Sequence, residues 1–463
     1  MTNSIIHPDG VHRLVKEALD SGAVSSLDEA ERLFAGYRLA FRIDATATDS
    51  WAYQAALLSG VALASRVFLG GVQVVGAIDV PLLVPVVASA ATLAEAVHYL
   101  GGTMVADAPT AVPMVSIGGP ARPPRHAFEV RLAFAGWSGG SVPVDTEVDA
   151  GVERRAMPLA AMLAAALAVN EAFIHIRGES AMAGRRRAGL SLWQPDAQGD
   201  WLAAGVGGPE LTFLPSKVWM LGLGHLGQAF LWALGLLPYS ENSGVELVLQ
   251  DVDIVTPSTP STSILSRPTH VGRRKSRVVA DWCERRGFTT ALHERFFDGA
   301  FRRQEEESTV ALCGFDNPAA RRALDFAGFG YVIEAGLGSG YRDFRAIRTH
   351  TLPGPRSAGE LWPTTADVQA VNRMQPAYQD LVRRGSLDQC GATLLAGKSV
   401  GAPFVGAVTA CLVVTELLRK LHNGPEYEVA DLDLMDLDYR SLVSRSTPSP
   451  VPNPGYVRAA RVP

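Results

Sequence analysis

The run SKVWMLGLGHLGQAFLWALGLL constrains this chain more than any other stretch. Gly222, Gly224 and Gly227 form G-x-G-x-x-G between an apolar run that reads as a buried strand and a stretch that reads as a helix. Glycines permit the tight turn, and the free N–H groups at the helix start face a phosphate. A strand, a glycine turn and a helix in that order predict an α/β, Rossmann-like fold with a nucleotide at the turn. Asp251 and Asp253 end the next apolar run, VELVLQDVDIV, and Asp251 lies 24 residues beyond Gly227. That spacing suits a carboxylate on a ribose hydroxyl. The chemistry stays open at this point, because dehydrogenases, flavoenzymes and adenylating enzymes share the fingerprint.

At 463 residues the chain is too long for one core. Lys+Arg 42 against Asp+Glu 47 gives a net charge of −5, which provides no basic field for nucleic acid or an anionic membrane. The four cysteines, Cys283, Cys313, Cys390 and Cys411, contain no C-x-x-C pair. A disulfide framework or thiolate zinc site is not expected, and a reducing cytoplasm is the simpler setting. The start MTNSIIHPDG lacks a basic segment followed by an apolar core, so no signal peptide is expected. The apolar stretch VQVVGAIDVPLLVPVVASAATLAEAV is broken by Asp79, Pro81 and Pro85. A spanning helix needs about 20 unbroken apolar residues. A soluble protein is the expectation.

Three regions are expected: an α/β half over 1–210 with a helical start, a nucleotide-binding half over 211–443, and a Pro-rich tail over 444–463. Ser26 and Glu29 in SSLDEAERLFAGYRL read as a capping box. The Gly/Asp/Pro-rich stretch WQPDAQGDWLAAGVGGPE marks the division near 205–212. An irregular segment, TLPGPRSAGELWPTTADVQA, precedes the long apolar helix APFVGAVTACLVVTELLRKL, and the tail SRSTPSPVPNPGYVRAARVP reads as extended or disordered. PLAAMLAAALAVNEAF from Pro158 and PFVGAVTACLVVTELL from Pro403 align without a gap, sharing Pro, Ala, Leu, Val and Glu at matched positions. Either two core helices share a composition, or an α/β unit is duplicated and its first copy has lost the glycine turn.

Three features of the second half narrow the chemistry. In HVGRRKS, Lys275 stands at a helix start, where a cation could reach phosphates or simply be solvated. In ALCGFDNPAARRAL, a strand runs into Asp316 and Asn317 with Pro318 at the first helical position. A carboxylate there could hold Mg²⁺ through one or two oxygens or cap the helix. In LDQCGATLLAGKSVGAPFVG, Cys390 reads as a loop cysteine, whereas Cys411 lies inside the long helix and reads as packing.

Together GLGHLG, QDVDIV, VGRRK, FDNPAARRAL and CGATLLAGKSVGAPFVG resemble the ThiF/MoeB superfamily, which includes ubiquitin-like-protein activating enzymes. The resemblance spans roughly residues 185–425. It implies an adenylation domain that uses ATP and Mg²⁺. Gly222, Gly224, Gly227, Asp251, Asp253, Lys275 and Asn317 would bind nucleotide, Asp316 the metal, and Cys390 would stand in the region of the thioester cysteine, within a cysteine segment at about 341–402. RRRAGLSLW is similar to an Arg-rich helix that leads into such domains, which makes Arg185, Arg186 and Arg187 candidates for an arginine reaching the triphosphate, with Arg186 preferred. Two departures stand out. Thr259 and Thr262 occupy the usual Asn and Arg positions, so Arg267, Arg273 or Arg274 would have to compensate, and the paired zinc cysteines are missing. The first half lacks the glycine motif and resembles an inactive adenylation fold.

The implied reaction is adenylation of a ubiquitin-like protein's C-terminal carboxylate, thioester formation on Cys390, and transfer to a conjugating enzyme's cysteine. Lys275, an arginine and the Asp316-held metal would neutralise phosphate charge. Partners are thus a ubiquitin-like protein and a conjugating enzyme; a homodimer stays open. The rival readings are a sulfur-carrier-type adenylyltransferase without a thioester, a catalytically dead scaffold that binds a ubiquitin-like protein, and an NAD-dependent dehydrogenase.

Overall fold

Val- and Ile-rich runs too short for helices pair into two sheets, and Ala-rich runs between them become the helices that cover them. A computed structural model describes residues 6–203, 207–240, 243–363, 375–446 and 454–462. Parts of the boundary stretch, of the irregular segment after Leu352 and of the Pro/Ser-rich tail lie outside the described residues.

The first sheet runs in the order Gly102–Met104, Val72–Val75, Leu39–Ile43, Met114–Ile117, Glu129–Ala135, Ser138–Pro143 and Ala188–Ser191. Its first five strands are parallel and its last two pair antiparallel. The second sheet repeats this plan as Thr289–His293, Glu246–Gln250, Lys217–Leu221, Val310–Cys313, Tyr331–Leu337, Ala346–Leu352 and Tyr427–Asp433, then adds Ser441–Ser444. Again the first five are parallel and the rest antiparallel. The aligned apolar runs occupy matching places. Helix Pro158–Arg177 precedes the last strand of the first sheet, and helix Pro403–Leu421 precedes the strand Tyr427–Asp433 of the second. The repeated strand order favours the duplicated unit over shared composition.

Both long helices lie in the shared core, where Cys411 Sγ donates to Leu159 O at 3.4 Å and Asn170 Nδ2 to Leu434 O at 2.9 Å. Helices Trp51–Ala64 and His225–Leu236 pack against them and against each other. Trp51 Nε1 donates to Leu236 O at 2.8 Å, and Trp232 Nε1 to Ser59 Oγ at 3.1 Å. These contacts join the two helices along their length, and one hydrophobic core serves both halves. Pro158–Arg177 is long and apolar enough to cross a membrane, yet its side chains are buried without a break from Pro158 to Ile174. It is a core helix.

Two local expectations are corrected and one is made specific. The Arg185–Arg187 run forms turns leading into the strand Ala188–Ser191, so no Arg-rich helix leads into the second half. The tail, expected to be extended or disordered, is extended at Tyr456–Arg458, which pairs antiparallel with Phe213–Pro215. Ser26 does cap helix Leu27–Ala35 by accepting from Glu29 N, but the returning Glu29 carboxylate accepts from Ser25 N at 2.7 Å instead of the cap residue.

Candidate nucleotide-binding site

The second sheet's order reverses between Lys217–Leu221 and Val310–Cys313, and the loops leaving these strands meet there. A crevice at the C-terminal ends of strands where the order reverses is the usual ligand site of an open α/β sheet. Gly222 turns with φ +80°, a conformation that costs a side chain strain. Gly227 approaches its own turn so closely that a Cβ there would overlap the Gly222 carbonyl oxygen. Around Gly224 the space is open, and the one atom near a Cβ built on it is Lys275 Nζ at 3.9 Å. Backbone exposed in this way, with a cation in front of it, fits a phosphate.

Asp251 follows strand Glu246–Gln250 and accepts from Leu223 N and Asp253 N, both at 2.7 Å. Its carboxylate therefore ties the glycine turn to the neighbouring strand end. Burial pushes the Asp251 carboxyl up, against the pull of Lys275 and the two N–H donors. Lys275 is the first residue of helix Lys275–Arg285, and its Nζ lies 2.8 Å from Asp253 Oδ2. Burial alone would lower this ammonium, but Asp251, Asp253 and Asp316 outweigh it and hold the group above its ordinary value. Lys275 is thus a charged cation pointed at the turn.

Asn317, not Asp316, caps helix Pro318–Arg322, with Oδ1 accepting from Ala319 N at 2.8 Å. Asp316 is exposed and acts electrostatically on both Lys275 and Arg13. Among the described residues no three His, Cys, Asp or Glu side chains converge as a metal cage. Mg²⁺ shared between a carboxylate and phosphate oxygens needs only one or two protein ligands, so Asp316 fits that use.

Sequence reasoning missed Arg13. It belongs to the segment before helix Val15–Asp20, where its N–H donates to Ser261 Oγ at 3.2 Å and its guanidinium reaches Asp9 at 3.4 Å. Its placement depends on contacts some 250 residues away, which no local pattern reveals. Arg186 instead holds Glu171, donating from Nε and Nη2 at 3.1 and 2.7 Å, and Arg187 pairs with Asp200. Arg267 lies 3.4 Å over the Tyr99 ring of the first half, Arg273 pairs with Asp281, and Arg274 donates to Val252 O. Thr259 accepts from Thr256 N at 2.9 Å within its own turn.

His225 opens the helix after the turn, its ring packed where a Cβ on Gly406 would overlap it. Burial pulls it down to about 4, so it is neutral. Cys390 is exposed and sits in the first turn of helix Gln389–Ala396, capped by Asp388, which corrects the loop expected from sequence. Cys283, Cys313 and Cys411 are buried, and burial raises all three thiols, Cys313 to about 12. A separate cavity of about 310 Å³, lined by Arg348, His350, Leu352, Leu361 and Val429 among others, shares no residue with the site.

The family model described as the BilD N-terminal domain matches residues 38–192, and that of the BilD C-terminal domain matches 214–424. The chain is 43% identical to the bacterial E1-like protein BilD of Collimonas sp. (strain OK412) over 436 residues, covering 93% of this chain and 94% of that one. It belongs to the BilD family. The two matched regions fall one on each sheet, so the two-half arrangement is that of BilD proteins. Among solved structures, E. coli MccB with MccA-N7isoASN is 16% identical, covers 51% of this chain and 67% of its own, and has a TM-score of 0.34. E. coli MccB with ATP is 15% identical, covers 51% and 65%, and has a TM-score of 0.32. Overlaps this loose do not bear on the chemistry.

Proposed function

We propose that this BilD-family chain activates the C-terminal carboxylate of a ubiquitin-like protein with ATP and Mg²⁺. One observation carries the reading: the glycine turn, Asp251, Lys275 and Asp316, from four separate segments of the second half, converge where the sheet order reverses. Asp251 would take the ribose, the turn and Lys275 the phosphates, and Asp316 would help to hold Mg²⁺, whose charge would offset that of the phosphates. The partner's carboxylate oxygen would attack the α-phosphorus, and the P–O bond to pyrophosphate would break. The chain's work is to position the reactants and neutralise charge. Arg13 replaces Arg186 as the favoured arginine, since it reaches the second half from the first.

Cys390 would then take the acyl group as a thioester and release AMP, before passing it to a conjugating enzyme's cysteine. Its support is exposure, the other three cysteines being buried. ATP–pyrophosphate exchange with the cognate small protein tests the first step. Cys390→Ala should keep exchange and lose a reductant-sensitive adduct, and Cys411→Ala should keep both. Exchange without any adduct in the wild type would leave a sulfur-carrier-type adenylyltransferase. A second reading, a scaffold that binds the ubiquitin-like protein without chemistry, is favoured by the engagement of Arg267 and Arg273 away from the turn. Absence of exchange with the partner bound would establish it.

A further inference from the structure

Lys398 stands eight residues beyond Cys390. Its Nζ lies 2.8 Å from Asp9 Oδ1, the same oxygen that Arg13 reaches at 3.4 Å. Two cations therefore share one carboxylate. Arg13 in turn feels Asp316, and Asp316 acts on Lys275 beside Gly224. A Cβ built on Gly401 would lie 3.9 Å from His225 Nδ1, at the start of the helix that follows the glycine turn, and 4.0 Å from the Arg13 Cβ, so the segment of Lys398 and Arg13 borders the turn. Backbone bonds hold it there: Ser258 N donates to Asp9 O at 2.8 Å, and Gly401 N to Arg13 O at 3.4 Å.

The Lys398–Asp9 pair is built to be exchanged. The Lys398 and Asp9 side chains are 36% and 23% exposed, so solvent screens their attraction. A polyphosphate carries more charge than Asp9 and accepts stronger, charge-assisted hydrogen bonds from an ammonium. We propose that Lys398 is a polyphosphate-binding residue, held by Asp9 until the outer phosphates of a nucleotide displace that carboxylate from it and from Arg13. Lys398 follows helix Gln389–Ala396 after one residue, so loading the nucleotide releases a tie between the cysteine-bearing segment and the N-terminal segment. Departure of pyrophosphate restores the tie. This rests on the reading of the site as one for ATP.

The test is equilibrium binding of Mg-ATP and of AMP to the full chain at low and moderate salt. Lys398→Gln should weaken ATP about tenfold and AMP less than about twofold, with an unchanged Tm, and Lys398→Arg should recover most of the loss. Asp9→Asn should strengthen ATP several-fold at low salt, because the competing carboxylate is gone. ATP affinity unchanged in Lys398→Gln, or ATP and AMP weakened alike, overturns the proposal and leaves the nucleotide site standing. A wild-type chain that binds no ATP overturns both.

Discussion

After its first strand each half turns into a helix, and the two turns differ in what fills them. In the second half, the third helical residue is Gly227, which lets the Gly222 carbonyl come in close and leaves open space at Gly224. In the first half, the third helical residue is Tyr53. Its hydroxyl donates to Glu153 Oε2 at 2.7 Å, and Glu153 is also met by Arg131 at 3.3 Å. Ala47 lies against Gly118, where an added Cβ would meet it at 2.9 Å, and Asp44 accepts from Thr46 N to close the turn. One strand order thus carries two kinds of turn: one with open space at its backbone, and one closed by side chains.

The sharpest way to break this contrast is Gly227→Ala. The clash is with the chain's own backbone, and no rotamer relieves it. A loss of about 3 kcal/mol or more is expected, together with ATP binding. Thermal unfolding checks it, and wild-type stability in this variant would mean the turn has room to spare.

The glycine turn, the strand ends at Asp251 and Asp316, and the helix start at Lys275 were legible because each is set by a few neighbouring residues. Hydrophobic runs delimit the strands, and glycine and proline punctuate the turns. Arg13 was not legible, since its position depends on Ser261 meeting it from across the fold. Arg186 misled for the opposite reason. An arginine run looks like phosphate chemistry, yet its partner Glu171 stands 15 residues earlier on a buried helix face. Cys390 in a helix instead of a loop turns on one cap, Asp388 accepting from Gly391 N at 2.6 Å.

The join between the turn and the long helix titrates. His225 is held at about 4 when folded, against an ordinary value of 6.5, because burial disfavours its cation. A depressed folded value gives stability that is full above pH 6.5 and is lost as the pH falls towards 4. The expected loss is about 3 kcal/mol over that window. His12 is also held near 4 by burial, so His225→Leu should flatten the acid limb only in part. Denaturant unfolding from pH 7 to 4 checks it, and an identical limb in the variant would exclude His225 as a source.

In the first half the matching test is Tyr53→Phe. It keeps the ring and removes the O–H that Glu153 accepts, leaving a fully buried carboxyl to Arg131 and the Phe134 backbone N–H. A loss of about 2 kcal/mol is expected, with ATP affinity unmoved. A change in ATP affinity would mean the two crevices are coupled.

The smallest effects separate neighbours in the arginine run. Glu171 is 1% exposed and holds Arg186 and Gly184 N, so Arg186→Ala strands a buried carboxylate with one backbone donor. Arg187 and Asp200 are each 51% exposed, and screening by water leaves such a pair almost nothing. Arg186→Ala should cost about 1 kcal/mol, and Arg187→Ala less than about 0.5 kcal/mol. Both are read as midpoint shifts in urea with unchanged slope. Equal costs would mean that Glu171 finds water or another donor when Arg186 is gone. Burial of its partner would then no longer distinguish an arginine that holds the first half together from one that merely decorates it.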